Sequence, residues 1–199
     1  MLRHRRHMFK SPFSVDSRTL ELDPDAQIVF VADMFASDYV GGAELTSESL
    51  IEKCPLKVQR IRSKDLNIEI MKHLHDKFWI FGNFSQMDLN LIPSIVANLS
   101  YSVLEYDYKY CKFRSPQKHE NIEGNPCDCH DQIHGKLISA FYYGAKSLWW
   151  MSERQMEHYH KIFPFLSKRQ NTVLSSVFDD SFFLAIKILR KRYESSERK

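Results

Sequence analysis

Five consecutive apolar residues, Ile28 to Ala32, end at Asp33, and after a short loop Gly41-Gly42 open a segment with helical period. A half-exposed strand alternates apolar and polar residues, so a run that is apolar at every position is not one. It fits a strand buried on both faces, the kind found inside parallel sheets. Parallel neighbours need a crossover, usually a helix. Strand, glycine turn and helix together predict the opening unit of a parallel α/β domain.

The rest of the chain repeats that unit. The helix from Gly42 to Lys53 is expected to bury Ala43, Leu50, Ile51 and Cys54, and Pro55 closes it. Leu56 to Ile61 reads as a second, less buried strand, with Ser63 capping a helix from Lys64 to His75. Phe78 to Phe81 is a third strand ending at Gly82-Asn83. A helix follows from Asp88 or Asn90, with Pro93 tolerable in its first turn. Tyr101 to Tyr106 is the fourth strand. Residues 108–133 are polar, rich in turn formers and without period, which suggests a functional, metal-stapled or disordered loop. Period returns in a helix ending near Gly144. Ser147 to Trp150 is a fifth strand, and Ser152-Glu153-Arg154-Gln155 is a capping box opening a helix with Met156, Tyr159 and Phe163. Thr172 to Ser175 is a sixth strand, before a last helix from Asp180 to Arg190.

The expected fold is therefore a single Rossmann-like, three-layer α/β domain over residues 26–191, with a mostly parallel sheet of about six strands. Residues 1–25 read as a basic N-terminal arm with Arg3, Arg5 and Arg6. Residues 192–199 read as a charged tail. A net charge of +3 gives no reason to expect specific nucleic-acid binding. No run of 18 apolar residues exists, so no transmembrane segment is expected, and the basic start lacks the apolar stretch of a secretory signal. Four irregularly spaced cysteines fit a reducing, cytoplasmic compartment better than a disulfide framework.

In an open parallel sheet, ligands bind beyond the carboxyl ends of the strands, where strand order reverses. The residues expected there are Asp33 to Gly42, Gly82 to Ser85, Tyr106 to Tyr108, Met151-Ser152 and Ser175-Ser176. Gly41 and Gly42, just before a helix, either leave backbone N–H groups open to a phosphate or serve a turn of positive φ. Glu44, in the first helical turn, either accepts sugar hydroxyls or complements the helix dipole. Asp33 and Asp107, at strand ends, are the candidate catalytic carboxylates, with loop capping as the alternative. Asn83, Tyr108 and Ser152 complete the candidate binding set. Tyr108 is either a stacking wall or packing. GxGxxG and Walker A motifs are absent. No metal is expected. The alternative is a site of Cys127, Cys129, His130 and His134, with Cys111 and His119 upstream, though this spacing is tighter than a usual zinc knuckle. No cofactor is expected.

The ordered segments VFVAD with GGAEL, WIFGNF, SVLEYDY, AKSLWWMSERQMEHY and NTVLSSVF resemble the N-terminal half of a retaining GT-B glycosyltransferase of the large family 4 group, over about residues 27–180. The resemblance implies two Rossmann-like domains around a cleft, with Gly41-Gly42 near the donor diphosphate, Glu44 beside them and Ser152 starting a helix. It implies transfer of a sugar from a nucleotide-sugar to a hydroxyl of a carbohydrate, lipid or protein acceptor, without the DxD metal site of GT-A enzymes. The donor would be shared with a C-terminal domain not in this sequence, so the chain alone is expected to be inactive. Family members carry a histidine after the fourth strand, where this chain has Tyr106-Asp107-Tyr108. The competing readings are a non-catalytic binding or assembly module, and an epimerase-like enzyme. The missing GxGxxG speaks against the latter.

Overall fold

The computed structural model describes residues 21–178 and 180–196. Most of the arm, with Arg3, Arg5 and Arg6, lies outside the described residues. Six strands form one parallel sheet: β1 (Ile28–Ala32), β2 (Val58–Arg62), β3 (Phe78–Phe81), β4 (Ser100–Glu105), β5 (Ser147–Trp150) and β6 (Gln170–Val173). Their spatial order is β2-β1-β3-β4-β5-β6, and every pairing is parallel. β1 has a neighbour on each side, Val58 and Phe78 both facing Ile28 in register, and all five of its residues are buried. That is the physical reason for its unbroken apolar run. β2 and β6 are edges and carry polar residues, Gln59, Arg60 and Arg62 on one and Gln170 and Asn171 on the other.

Alternate residues of each strand face opposite layers. Val29, Val31, Trp79, Phe81, Tyr101, Val103, Leu148 and Trp150 pack against α2 (Ile68–His73), α3 (Ile92–Asn98), α5 (Ile133–Gly144) and α6 (Glu153–Ile162). Phe30 and Ala32 face α1 (Gly42–Lys53), with Phe35, Ile51, Val58 and Ile80. The first layer is dense in aromatics: Phe141 stacks on Tyr101 at 5.0 Å and meets Phe81 and Phe84 edge-on at 5.2 and 5.1 Å. Tyr142 and Trp150 belong to this core, while Tyr143 is exposed.

Several elements differ from expectation for identifiable reasons. The side chains that α1 buries are Glu44, Thr46, Ser47 and Ser49, while Ala43, Leu50 and Cys54 are half-buried. This polar inner face is satisfied by hydrogen bonds: Ser47 Oγ and Tyr106 Oη lie 2.7 Å apart, and Val177 N donates to Thr46 Oγ1 at 3.3 Å. Ser63 does not cap α2. Its hydroxyl donates to Asp33, a 3₁₀ turn Ser63–Asp65 follows, and Asn67 caps α2 by accepting from Ile70 N at 3.0 Å. Leu56 lies before β2 and is exposed. Inside the segment read as a loop, α4 spans Pro116–Glu123. The last helix, α7, runs Asp180–Ser196, through most of the residues read as a tail.

Other features follow the sequence directly. Pro93 falls in the first turn of α3, where its missing N–H has no intrahelical partner to lose. Ser152 caps α6 by accepting from Gln155 N at 3.2 Å, and Gln155 Oε1 accepts from Met151 N at 2.9 Å. The chain is a Rossmann-like, three-layer α/β domain with a six-stranded parallel sheet among the described residues. Among them no helix is long and apolar enough to cross a membrane.

Candidate functional site

From β1 the chain moves outward to β2, then returns past β1 to β3, so the strand order reverses between β1 and β3. The loops leaving the carboxyl ends of β1, β3 and β4 enclose this point. Three contacts tie them together. Tyr106, just after β4, meets Ser47 of α1 through its hydroxyl. A Cβ on Gly82, just after β3, would sit 3.1 Å from Phe30 and 3.5 Å from the Tyr106 ring. Arg114 Nη2 donates to Asn83 Oδ1 at 2.7 Å, and Arg114 Nε donates to Asp107 Oδ2 at 2.6 Å.

Gly41 is the N-cap residue of α1, with φ −133° and ψ 175°, and Gly42 is its first helical residue. Neither needs positive φ, so the turn explanation for the pair does not hold. A Cβ on Gly41 would strike the Glu44 carboxylate and the Tyr39 ring, whereas a Cβ on Gly42 would meet nothing within 4 Å. Glu44 is folded back over the helix start, and open space lies beside Gly42. The N-cap residue, a glycine, supplies no side-chain cap to the first N–H groups of α1.

Asp33 has both oxygens engaged. Oδ1 accepts from Ser63 Oγ and from Gln86 N at 2.9 Å, and Oδ2 accepts from Ser85 N at 3.0 Å. It braces the loop after β3, and its influence on the crevice runs through that loop. Asp107 is held by Arg114 and by Lys109 Nζ at 3.3 Å. Burial opposes its ionisation, but the Lys109 and Arg114 charges outweigh burial and hold its carboxyl below the usual carboxylate range. Such a carboxylate is a weak base and a firm anchor. Glu105, the last residue of β4, is fully buried. Its Oε1 accepts from Lys109 Nζ at 3.2 Å and Asp107 N at 2.8 Å, while Oε2 lacks a hydrogen-bond partner among the described residues. Burial pushes its carboxyl up to about 8, against the pull of Lys109 and with the push of Asp107.

The remaining candidates divide. Ser152 is exposed at the start of α6, tied to the crevice because Gln155 Nε2 donates to Asp107 O at 2.8 Å. Tyr108 lies parallel to Tyr159 at 6.0 Å and edge-on to His158 at 5.1 Å, so its ring is packed. Leu174 N and Ser175 N donate to Trp150 O, and the segment then crosses to Thr46 of α1. His130 and His134 stand apart from Cys127 and Cys129: His134 Nε2 lies 2.8 Å from Lys109 O, and His130 lies edge-on to Tyr110. The residues that join Cys127 and Cys129 are Cys111 and His119.

Two residues of the crevice carry no sequence signal of their own. Arg114 takes a left-handed φ of 58°, and Lys109 is buried between the carboxyl groups of Glu105 and Asp107; both lie in the segment read as an aperiodic loop. A signal for α4 was nevertheless present. Ser115-Pro116 is a cap followed by proline at the first helical position, and Gly124, with φ 72°, is the glycine that ends the helix.

An amide, an arginine and a carboxylate meet beyond the ends of β3 and β4, a set suited to phosphates and hydroxyls, and the Ser47–Tyr106 pair ties α1 to the same strand end. Comparison of the chain with protein-family models, with curated proteins and with solved structures returned no match.

Proposed function

We propose that the crevice receives the phosphate and sugar groups of a nucleotide-sugar, and that the chain is the N-terminal, acceptor-side domain of a retaining GT-B-type glycosyltransferase. The observation that carries this reading is the open space beside Gly42 at the uncapped start of α1, where no positive φ accounts for the glycine pair. Backbone N–H groups there stabilise charge that develops on a leaving diphosphate. In this reading Glu44 and Asn83 accept and donate to sugar hydroxyls, Arg114 faces the phosphates, and Asp107 holds Arg114 in place. Asp33 orders the loop that carries Ser85. Ser152 lines the α6 side, the nucleotide is gripped mainly by a second domain, and the acceptor is a carbohydrate, lipid or protein hydroxyl.

A second reading, a binding module without catalysis, is favoured by one observation: Asp33 and Asp107 are both already committed to internal partners. An amide-resolved NMR titration of the full chain with UDP-glucose and GDP-mannose tests the proposal. The expected result is shifts confined to Gly41, Gly42, Glu44, Asn83 and Arg114, lost in Arg114→Ala, with no sugar release by the chain alone. Absence of shifts at the α1 start removes the donor-site reading. Substantial turnover by the chain alone overturns the half-enzyme reading.

A further inference from the structure

Residues 111–129 hold a second constellation, independent of the transferase reading. Cys111, His119, Cys127 and Cys129 place one ligand atom each within 4.8 Å of all the others. The His119 Nδ1 is 3.3 Å from Cys129 Sγ and 3.9 Å from Cys111 Sγ. In a tetrahedron with Zn–S of about 2.3 Å and Zn–N of about 2.0 Å, the sulfur–nitrogen edge is about 3.5 Å. The two observed separations bracket that edge. We infer that Cys111, His119, Cys127 and Cys129 form a structural Cys₃His zinc site that staples the segment between β4 and α5.

The surroundings fit such a centre. The other ring nitrogen of His119, Nε2, lies 4.0 Å from Asp128 Oδ1, beyond hydrogen-bond distance but on the side where an outer-shell carboxylate partners a zinc-bound histidine. Cys111, His119 and Cys129 are buried, and Cys127 is partly so. All four cysteines are free thiols, and three of them converge here, an odd number that a disulfide leaves incomplete. A hollow of about 700 Å³, lined by Lys112, His119, Glu123, Asp128 and Cys129, gives an ion a way in.

The local fold is otherwise hard to account for. The one buried side chain of α4 is His119, so apolar burial does not hold this eight-residue helix to the domain. A metal bond supplies what the missing apolar face does not. Backbone also makes room for the site. A Cβ on Gly135, in the first turn of α5, would collide with Cys129 O and the His130 Cα, so only glycine lets the Cys129 turn close on that helix. Four protein ligands leave no open coordination position, which marks the centre as structural. Its effect reaches the crevice through the chain, because Arg114 follows Cys111 by three residues and Arg114 N donates to Cys111 O at 2.8 Å.

The test is metal analysis of the full chain, purified without chelator and under reducing conditions. We expect about one zinc per chain, released by a mercurial thiol reagent, and cobalt substitution with the intense thiolate charge-transfer and visible bands of a tetrahedral sulfur-rich site. Cys127→Ser and His119→Ala should lose the metal, while His119→Cys and Cys54→Ser should keep it. If the losing variants fail to fold, cobalt titration of the chelator-stripped wild-type chain decides the matter by the same bands. Less than a tenth of an equivalent of any transition metal with no cobalt–thiolate band overturns the proposal. So does a disulfide among the three cysteines in freshly purified protein, or unaltered metal content in both losing variants.

Discussion

The two faces of the sheet are held by different forces. On the face covered by α2, α3, α5 and α6, the strands present Trp79, Phe81, Tyr101, Val103 and Trp150 to one continuous aromatic core. On the α1 face the matching layer is hydroxyl-rich. Ser102 Oγ meets Ser147 Oγ at 2.6 Å, Ser47 meets Tyr106, and Thr46 receives Val177 N. Apolar burial is non-directional and scales with area. Hydrogen bonds are directional and modest in net energy. The aromatic face therefore sets how stable the domain is, and the hydroxyl face sets where the strand ends and the α1 start stand relative to one another. The crevice opens beside the second.

The widest separation between the faces should come from Phe141. Its ring is fully buried and touches Phe81, Phe84 and Tyr101. Phe141→Ala is expected to cost about 3–5 kcal/mol, the range for a large aromatic removed from a close-packed core. Urea unfolding followed by circular dichroism measures it as a drop in midpoint at constant slope. A loss below about 1 kcal/mol would mean that this face is not the stabilising one.

The aromatic face carries a buried carboxyl group at the end of β4, Glu105, and it makes the comparison pH-dependent. Glu105 titrates near 8 when folded and near an ordinary 4.5 when unfolded. The folded state then holds a proton that the unfolded state has released, so stability from this residue is fully present below about pH 4.5. It falls as pH rises toward 8. At about 1.4 kcal/mol per unit, the fall amounts to a few kcal/mol over that window. Glu105→Gln keeps the shape and removes the titration, so its unfolding free energy should be flat where the wild type slopes downward. A wild type as flat as Glu105→Gln over that window would place Glu105 as a permanent anion paired with Lys109.

The two faces were unequally legible in the sequence. The aromatic face was readable because burial on both sides writes an apolar run, as in Ile28–Ala32, and buried helices write a 3.6-residue period. Phe78–Phe81 and Ser147–Trp150 stand where the pattern put them, and so does the Ser152 cap. The hydroxyl face wrote no such pattern. Glu44, Thr46, Ser47 and Ser49 look like a solvated surface, and only the strand-end partners reveal them as inward. Of the candidate residues, Gly41, Gly42, Asn83 and Asp107 lie in the segments that follow the carboxyl ends of strands, which is where a parallel sheet directs attention. Arg114 could not be placed this way, because it arrives from a segment whose geometry is fixed by side-chain convergence, not by period. The same holds for the ligand set around Cys127 and Cys129: nearest in sequence were His130 and His134, nearest in space are Cys111 and His119.

The smallest effect is the most discriminating for the hydroxyl face. Ser47 and Tyr106 join α1 to the end of β4 across 59 residues of chain, through a single hydroxyl pair 2.7 Å apart. Burial raises the Tyr106 phenol's affinity for its proton, the nearby Glu44 charge adds to that, and the Ser47 bond works against it. The pair is therefore between neutral groups, worth about 0.5–1.5 kcal/mol net. Ser47→Ala and Tyr106→Phe should each lower stability by roughly that amount, and the double variant should lose less than their sum. A coupling energy of about 1 kcal/mol in this cycle, read from urea midpoints, assigns the bond a role in holding α1 to β4. The NMR shifts at Gly41 and Gly42 on adding UDP-glucose should weaken in both single variants, because the α1 start is then less firmly positioned over the strand ends. Strict additivity, with unchanged shifts, would mean that the α1 start is held by Phe30, Ile51 and the rest of its thin apolar contact alone, and the distinction between the faces would reduce to one of thickness.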